Sequence, residues 1–302
     1  MLEELQFGLS LVVSGITIGM MYSLIALGFV LVYKATDAIN FAQGEFVMLA
    51  GYAGALTLAG VLGYGWGGVA MAVIVSLIVM VGFSFGLERV VLRPLLGRPV
   101  VAVIMATIGL AAILRGLPPI TVGASTLTLP LPLPEANLDL GVVTLPPIQV
   151  LGVVVSLLCL AVFTWFFLKS RKGVAMRAVA DNQQVAMAMG INVERYFAIA
   201  WAMAGIVSAL GGVIWGSMLG VDTQLALVGL KVFPVVILGG LDSIIGAVIG
   251  GLIVGVVESL AAGYLDPYVG GGTKDFAPYV LMIAMLMFKP YGMFGKRKIE
   301  RV

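Results

Sequence analysis

Four polar side chains within apolar stretches of this sequence are its first candidates for chemistry. Asn40, Gln43 and Glu45 lie close together early in the chain, and Glu258 lies in a late apolar segment. An amide or carboxylate inside a lipid bilayer is costly unless it faces the interior of a helix bundle or a polar cavity. The pattern therefore favours a pathway for a polar solute across a membrane, with these four residues as candidates for lining it.

A structural role is the alternative for the same residues. Asn40 and Gln43 would then cap helices at a turn near the membrane boundary, and each glutamate would be a hydrogen-bonded packing residue. A proton relay is disfavoured, because no second acid or histidine lies one helical turn from Glu45 or Glu258.

The sequence lacks the motifs of several common enzyme classes, so no catalytic residue is expected. It has no GxxxxGK(S/T) phosphate loop, no GxSxG nucleophile motif and no HExxH zinc motif. With no histidine and a single cysteine, Cys159, no metal site is expected either.

Composition indicates the surroundings in which these residues must work. The 302 residues are 61% hydrophobic and 11% charged, with a mean hydropathy of +1.13, whereas about 25% of the residues of a soluble domain are charged. Apolar runs of about 20 residues, the length that crosses a bilayer, recur from end to end. The sequence therefore predicts an all-α, polytopic membrane protein in which residues 1–302 form one membrane domain. The net charge of +2 gives no indication of nucleic-acid binding.

About nine membrane-spanning segments are predicted, within a range of about eight to ten. The basic stretches 88–98, 169–195 and 289–302 should share the cytoplasmic side, which about nine crossings with the N-terminus outside would satisfy. Arg115, at the far boundary of the fourth segment, can extend its charge to the headgroups. The predicted segments are 8–33, 47–62, 67–87, 100–117, 148–168, 197–220, 226–241, 243–263 and 276–288.

Two long loops are predicted on opposite sides of the membrane. Residues 118–147 are rich in proline and contain no lysine or arginine, which excludes a helix and places them outside. On the cytoplasmic side, residues 174–189 should form a short helix outside the hydrocarbon. Gly190 should end that helix, and Asn192 should cap the next one.

Two segments interrupt the apolar pattern at comparable positions in the two halves of the chain. They are the polar run 40–45 and the proline-broken stretch 231–243. Irregular backbone in a bilayer is tolerated only where protein or a water-filled cavity satisfies it, and paired interruptions point to a transport pathway. Asp242 and Ser243 precede an apolar helix, so N-capping is the simpler interpretation of both.

Three blocks of the sequence together resemble the LivH-type permease of bacterial branched-chain amino acid ABC importers. The blocks are INFAQGEFVMLAGY at 39–52, GVAMRAVADNQQVAMAMGI at 173–191 and KVFPVVILGGLDSIIGAVIGGLIVGVVESL at 231–260. The resemblance implies an inner-membrane subunit that translocates leucine, isoleucine and valine and binds no cofactor itself. It also implies three kinds of partner: a second homologous permease, two cytoplasmic subunits that use ATP, and a periplasmic binding protein that delivers the amino acid.

Within that resemblance, residues 173–191 correspond to the coupling helix that fits a groove of an ATPase. The strict EAA pattern of other importer classes is missing here, which weakens individual contact assignments. In the outer loop, Glu135 and Asp139 are candidates for docking the binding protein, with a passive lid as the alternative. The implied coupling residues are Gly173, Arg177, Ala178, Asn182, Ala186, Gly190 and Ile191.

Other functions stay open from the sequence alone. The same scaffold could carry urea, a short amide or another amino acid. An ion-coupled secondary transporter acting alone is favoured by the broken helices but disfavoured by the missing charged relay. A structural membrane scaffold would carry no solute at all.

Overall fold

The computed structural model describes residues 2–37, 39–61, 65–95, 98–134, 136–139, 141 and 143–295, and its regular structure is almost entirely helical. The predicted all-α class is confirmed. Two short strands, β1 (Leu138–Asp139) and β2 (Thr144–Leu145), pair antiparallel. The helices are α1 (Leu2–Thr36), α2 (Gln43–Val61), α3 (Trp66–Leu87), α4 (Val100–Thr121), α5 (Pro147–Lys169), α6 (Arg171–Asp181), α7 (Gln183–Ala188), α8 (Val193–Leu219), α9 (Leu227–Gly239), α10 (Ile244–Tyr264), α11 (Asp266–Val269) and α12 (Thr273–Phe288).

Among the described residues, 6 helices are long and apolar enough to cross a membrane, and each coincides with a predicted segment. They are α1, α3, α4, α5, α8 and α10. The three other predicted segments fall on α2, α9 and α12, which have 19, 13 and 16 residues. The chain is a multi-pass membrane protein, while the count of nine crossings stays a prediction.

The proline-rich loop starts later than predicted, because α4 continues through Pro118 and Pro119 to Thr121. Its last turn is closed by the backbone N–H groups of Val122 and Gly123, which donate to Pro118 O over 2.8 and 3.2 Å. Prolines near a helix end remove few internal bonds, so the exclusion of a helix at 118–121 was wrong. At the other end of the loop, Pro147 opens α5, where a missing N–H costs nothing.

The chain forms two compact units, each built from separated stretches of sequence. Unit 1 contains residues 1–26, 133–158 and 231–302, and unit 2 contains residues 27–132 and 159–230. The assignment of residues 1–302 to one permease domain stays a prediction.

In unit 1, α1 and α10 pack with their backbones in direct contact. A Cβ on Gly15 would lie 2.6 Å from Val256 Cα, and a Cβ on Gly19 would lie 2.9 Å from Leu252 Cα. The contacts run in opposite directions along the two helices, which are therefore antiparallel. Small residues allow the two backbones to come this close, and the resulting van der Waals contacts stabilise the helix pair.

The end of α9 is closed by the C-terminal stretch of unit 1. Met293 N–H donates to Leu238 O over 2.8 Å, and Phe294 N–H donates to Gly239 O over 3.1 Å. These bonds satisfy carbonyls that the end of a helix leaves without internal partners. The next helix, α10, is capped by Ser243, as predicted from the sequence.

Unit 2 has a hydrophobic core between α2, α3 and α8. Phe46, Met80 and Trp201 are buried in it. The rings of Phe46 and Phe83 meet edge to face, with centroids 5.3 Å apart. At Gly212 the backbones of α8 and α2 almost touch, since a Cβ there would lie 2.7 Å from Gly51 N. This packing fixes the start of α2, which carries Gln43 and Glu45 and closely follows Asn40.

Candidate functional site

Asn40 and Gln43 belong to a buried hydrogen-bond network in unit 2. Asn40 Nδ2 donates to Gln43 Oε1 over 3.1 Å, and Gln43 Nε2 donates to Ser208 Oγ over 2.9 Å. Asn40 Oδ1 accepts the backbone N–H of Ala42, and Ser208 donates in turn to Ala204 O. Asn40 and Gln43 are both 0% exposed. In this conformation the two side chains join the start of α2 to α8.

Glu45 is buried beside an arginine from α4. Its side chain is 3% exposed, and Glu45 Oε1 lies 2.6 Å from Arg115 Nη2, whereas the Arg115 side chain is 42% exposed. The Arg115 charge, expected to extend to the headgroups, is therefore paired with a carboxylate. The sequence did not indicate this partner, because the residues are 70 positions apart. Burying a carboxylate without a basic partner is costly, and Arg115 supplies that partner.

The first turns of α2 and α9 meet at two glycines within unit 2. A Cβ on Gly44 would lie 3.1 Å from Gly229 Cα, and a Cβ on Gly229 would lie 2.6 Å from Gly44 N. Backbone therefore packs on backbone, with no side chain between the two helix starts. The second predicted break in the apolar pattern covers residues 231–243, and the contact between Gly44 and Gly229 lies just before it.

Glu258 is held by a lysine within unit 1. Lys231 Nζ lies 2.8 Å from Glu258 Oε1 and 2.8 Å from Asp275 Oδ1. The Glu258 side chain is only 8% exposed, so Lys231 compensates a carboxylate charge among apolar helices. One lysine thus ties α9, α10 and α12 together. The sequence could have indicated this pair, because Lys231 and Glu258 lie in neighbouring apolar segments, 27 positions apart.

Asp275 is positioned by the turn between α11 and α12. The Asp266 carboxylate accepts the Thr273 backbone N–H over 2.9 Å and also the Thr273 hydroxyl. Both bonds favour the ionised form, so they lower the pKa of Asp266 below its usual value. The turn therefore sets the first residues of α12, where Asp275 lies.

Residues 170–192, which contain all seven coupling candidates, form two short helices. The predicted single helix over 174–189 was wrong, because α6 ends at Asp181 and α7 begins at Gln183. Between them, Asn182 has extended backbone, and its Oδ1 accepts the Val185 N–H over 3.0 Å. An asparagine side chain caps a new helix more favourably than it continues one.

The end of α7 and the start of α8 are as predicted. Gly190 has φ +80°, a left-handed conformation that ends a helix. Ile191 N–H donates to Ala186 O over 3.0 Å, which completes a Schellman-type stop. Asn192 then caps α8 by accepting the Arg195 N–H over 3.0 Å.

Segment 170–192 has one buried face and one exposed face. At Gly173, a Cβ would lie 2.8 Å from Phe167 Cα, so α6 lies directly on the end of α5. The exposed large apolar residues are Val174, Val185, Met187 and Met189. Of the coupling candidates, Gly173 and Ala186 are buried, Arg177 and Ile191 half-buried, and Ala178, Asn182 and Gly190 exposed.

Asp139, a docking candidate, is exposed on β1 in the loop between α4 and α5. Its Oδ1 accepts the Gly141 N–H over 2.8 Å, which fixes the local turn. The other docking candidate, Glu135, lies outside the described residues.

The contacts of these groups hold neighbouring helices together. Within the described ranges, no three His, Cys, Asp or Glu side chains come together as a metal site requires. Each polar candidate has a bonding partner: the amides of Asn40 and Gln43 bind each other and a serine hydroxyl, and the two carboxylates bind basic side chains.

Comparison with known proteins identifies the family. Residues 11–288 match the family described as "Branched-chain amino acid transport system / permease component". The chain is 31% identical to the high-affinity branched-chain amino acid transport system permease protein LivH of Salmonella typhimurium and 33% identical to BraD of Pseudomonas aeruginosa, with all of each chain aligned. It is 27% identical to the autoinducer 2 import system permease protein LsrC of Yersinia pestis, over 88% of this chain and 73% of that protein. The chain therefore belongs to the family of branched-chain amino acid transport system permease components.

Proposed function

We propose that this chain is the permease subunit of an ATP-driven importer for branched-chain amino acids in a bacterial inner membrane. The full-length likeness to LivH and BraD supports leucine, isoleucine and valine as its solutes. The likeness to a protein named for autoinducer 2 import indicates that the scaffold alone does not fix the solute. Solute choice would then rest mainly on the binding protein that delivers it.

The exposed face of segment 170–192 is the observation that carries this proposal. Energy from ATP hydrolysed by another protein must enter the permease through an element that both proteins share. The segment is joined directly to α5 and α8, and its caps hold it in one shape. A displacement of this segment would therefore be transmitted to α5 and α8.

The chemistry of the exposed face suits a protein groove. Met187 and Met189 are 55% and 77% exposed, and methionine adapts its shape to an apolar partner surface. Arg171 and Lys172, also exposed, would complement an acidic rim around that groove. We therefore call residues 170–192 the coupling segment.

The proposal includes the partners and the orientation. Two cytoplasmic ATP-binding subunits would grip the coupling segment and use ATP, which this chain would not bind. A second homologous permease would complete the pathway. The basic stretches 88–98, 169–195 and 289–302 would face the cytoplasm, and the N-terminus would face the periplasm. The outer loop, with Glu135 and Asp139, would receive the periplasmic binding protein.

The proposed pathway uses the polar candidates in a second conformation. In the conformation described here, Asn40, Gln43 and Glu45 are buried and paired. Opening of the contacts with Ser208 on α8 and Arg115 on α4 would make these side chains accessible to a passing zwitterion. Glu258 would serve the pathway in the same way, after release from Lys231.

Reconstitution in proteoliposomes tests the function directly. Uptake of labelled leucine, isoleucine and valine is measured with ATP enclosed, with and without the ATPase subunits and the binding protein. We expect accumulation only with all components present, and none driven by a proton or sodium gradient. Gradient-driven uptake by the chain alone would favour the secondary transporter. Uptake of urea or a short amide in preference to leucine would change the proposed solute.

A further inference from the structure

Arg93 follows the π-helical turn Glu88–Leu92 that continues α3 in unit 2, and it binds two carboxylates at once. Its Nε and Nη2 donate to the two oxygens of Glu88 over 3.2 and 3.0 Å, and its Nη1 lies 3.0 Å from Glu194 Oε2. A guanidinium holds a carboxylate in this two-point manner with a fixed relative orientation. The three residues thus form a joint between the end of α3 and the start of α8.

The two halves of the joint differ in burial. The Glu88 side chain is 1% exposed, whereas that of Glu194 is 58% exposed. Arg93 is therefore held at two points by a buried carboxylate, and its contact with Glu194 is the one that water can replace. Residues 88–92 form a single π-helical turn, a rare geometry that is frequent at functional sites.

Glu194 lies in the first turn of α8, two positions after Asn192, which caps α8 and ends the coupling segment. A displacement of the coupling segment therefore displaces Glu194. Through Arg93, the same displacement reaches α3, which packs with α2 and α8 in unit 2.

We infer that Arg93 and Glu194 are positioning residues that transmit movement from the coupling segment to α3. This inference rests on the proposed function, since it needs an ATPase that moves the segment. Glu88 fixes the Arg93 guanidinium, and Glu194 is the releasable partner. Loss of the Glu194 contact would remove the ionic link between the start of α8 and the stretch after α3, and would leave only the apolar packing of the two helices.

The decisive variant is Glu194→Gln, which removes the exposed ion pair and leaves Glu88 bound to Arg93. In proteoliposomes with the ATPase subunits and binding protein, ATP hydrolysed per leucine taken up should rise about two- to fivefold, the range that an exposed ion pair supports. Subunit co-purification and the thermal unfolding midpoint should stay as in the wild type. A residue with a purely structural role would change these two quantities and leave the coupling ratio unchanged.

Arg89→Gln is the charge control for Arg93→Gln, which also deprives the buried Glu88 of its partner. Both remove one positive charge from the same stretch, but Arg89 is exposed and has no ion pair within the described part of the chain. Arg93→Gln should uncouple, Arg93→Lys should recover part of the coupling, and Arg89→Gln should behave as the wild type. Adding Glu194→Gln to Arg93→Gln should have no further effect, because the pair is already broken.

A wild-type coupling ratio in Glu194→Gln, with a working wild-type transporter, would overturn the inference alone. A wild-type complex that shows no ATP-dependent uptake would overturn the proposed function and this inference with it. An Arg89→Gln variant as uncoupled as Arg93→Gln would show that net charge, and not the joint, sets the ratio.

Discussion

Gln43 Nε2 donates a 2.9 Å hydrogen bond to Ser208 Oγ, joining residues 165 positions apart. Both residues are 0% exposed, so water cannot replace either partner. The bond fixes the start of α2 on α8 within unit 2.

Ser208→Ala should destabilise the protein by about 1–3 kcal/mol, because a buried amide N–H of Gln43 loses its acceptor. The measurement is thermal unfolding of the purified protein in detergent. Ser10→Ala is the control, since it removes a hydroxyl whose bond to Phe7 O is exposed. An unchanged unfolding midpoint for Ser208→Ala would show that the network does not hold α2.

Gly44→Ala should destabilise the start of α2 by about 1–3 kcal/mol and reduce uptake, because the added Cβ would run into the backbone of Ala226 and Gly229 at the start of α9. The matched control is Gly60→Ala in the same helix, where an added Cβ meets nothing within 4 Å. That change should be neutral or slightly stabilising, since alanine favours a helix over glycine by about 0.5–1 kcal/mol. Equal midpoints for the two variants would contradict the close crossing at Gly229.

Lys231→Met should destabilise unit 1 by about 3–5 kcal/mol, because the buried Glu258 charge loses its partner. Combining it with Glu258→Gln should recover much of that loss, since no unpaired charge is then left buried. Unfolding midpoints of both single variants and the double variant give the coupling energy. Lys289→Met, at an exposed lysine, serves as the control. Additive effects of the two changes would mean that the ion pair contributes nothing.

Asn182→Glu should leave membrane insertion intact and lower both uptake and solute-stimulated ATP hydrolysis several-fold, since it adds a bulky acid to the coupling segment. It also removes the cap of α7, which is worth about 1 kcal/mol. Asn182→Asp separates the two effects, because aspartate keeps the cap and adds the same charge. Asn182→Ser, a neutral cap, should behave as the wild type. Normal transport in both acidic variants would contradict the coupling role of this position.

Local rules were sufficient for much of the fold. Apolar runs of bilayer length gave the positions of six spanning helices, and Gly190, Asn192 and Ser243 marked helix ends correctly. These signals act over a few residues, where backbone sterics and unsatisfied N–H groups decide the outcome. The break at Asn182 was missed because an asparagine is compatible with a helix interior as well as with a cap.

Long-range pairing could not be predicted from one sequence. Glu45 and Glu258 were identified as polar residues in apolar surroundings, but their partners Arg115 and Lys231 lie 70 and 27 positions away. Periodicity shows that a charge is buried without showing which helix compensates it. The sequence thus predicted the two carboxylates as candidates for a pathway, and the structure shows them in ion pairs.

The close backbone packing of α1 and α10 in unit 1 limits how these helices can move relative to each other. Gly15 and Gly19 place main chain against main chain, so no rotamer change can absorb a sliding motion there. Within unit 1 the two helices should therefore move as one rigid body. Spectroscopic probes attached to both should keep a constant separation through every transport cycle.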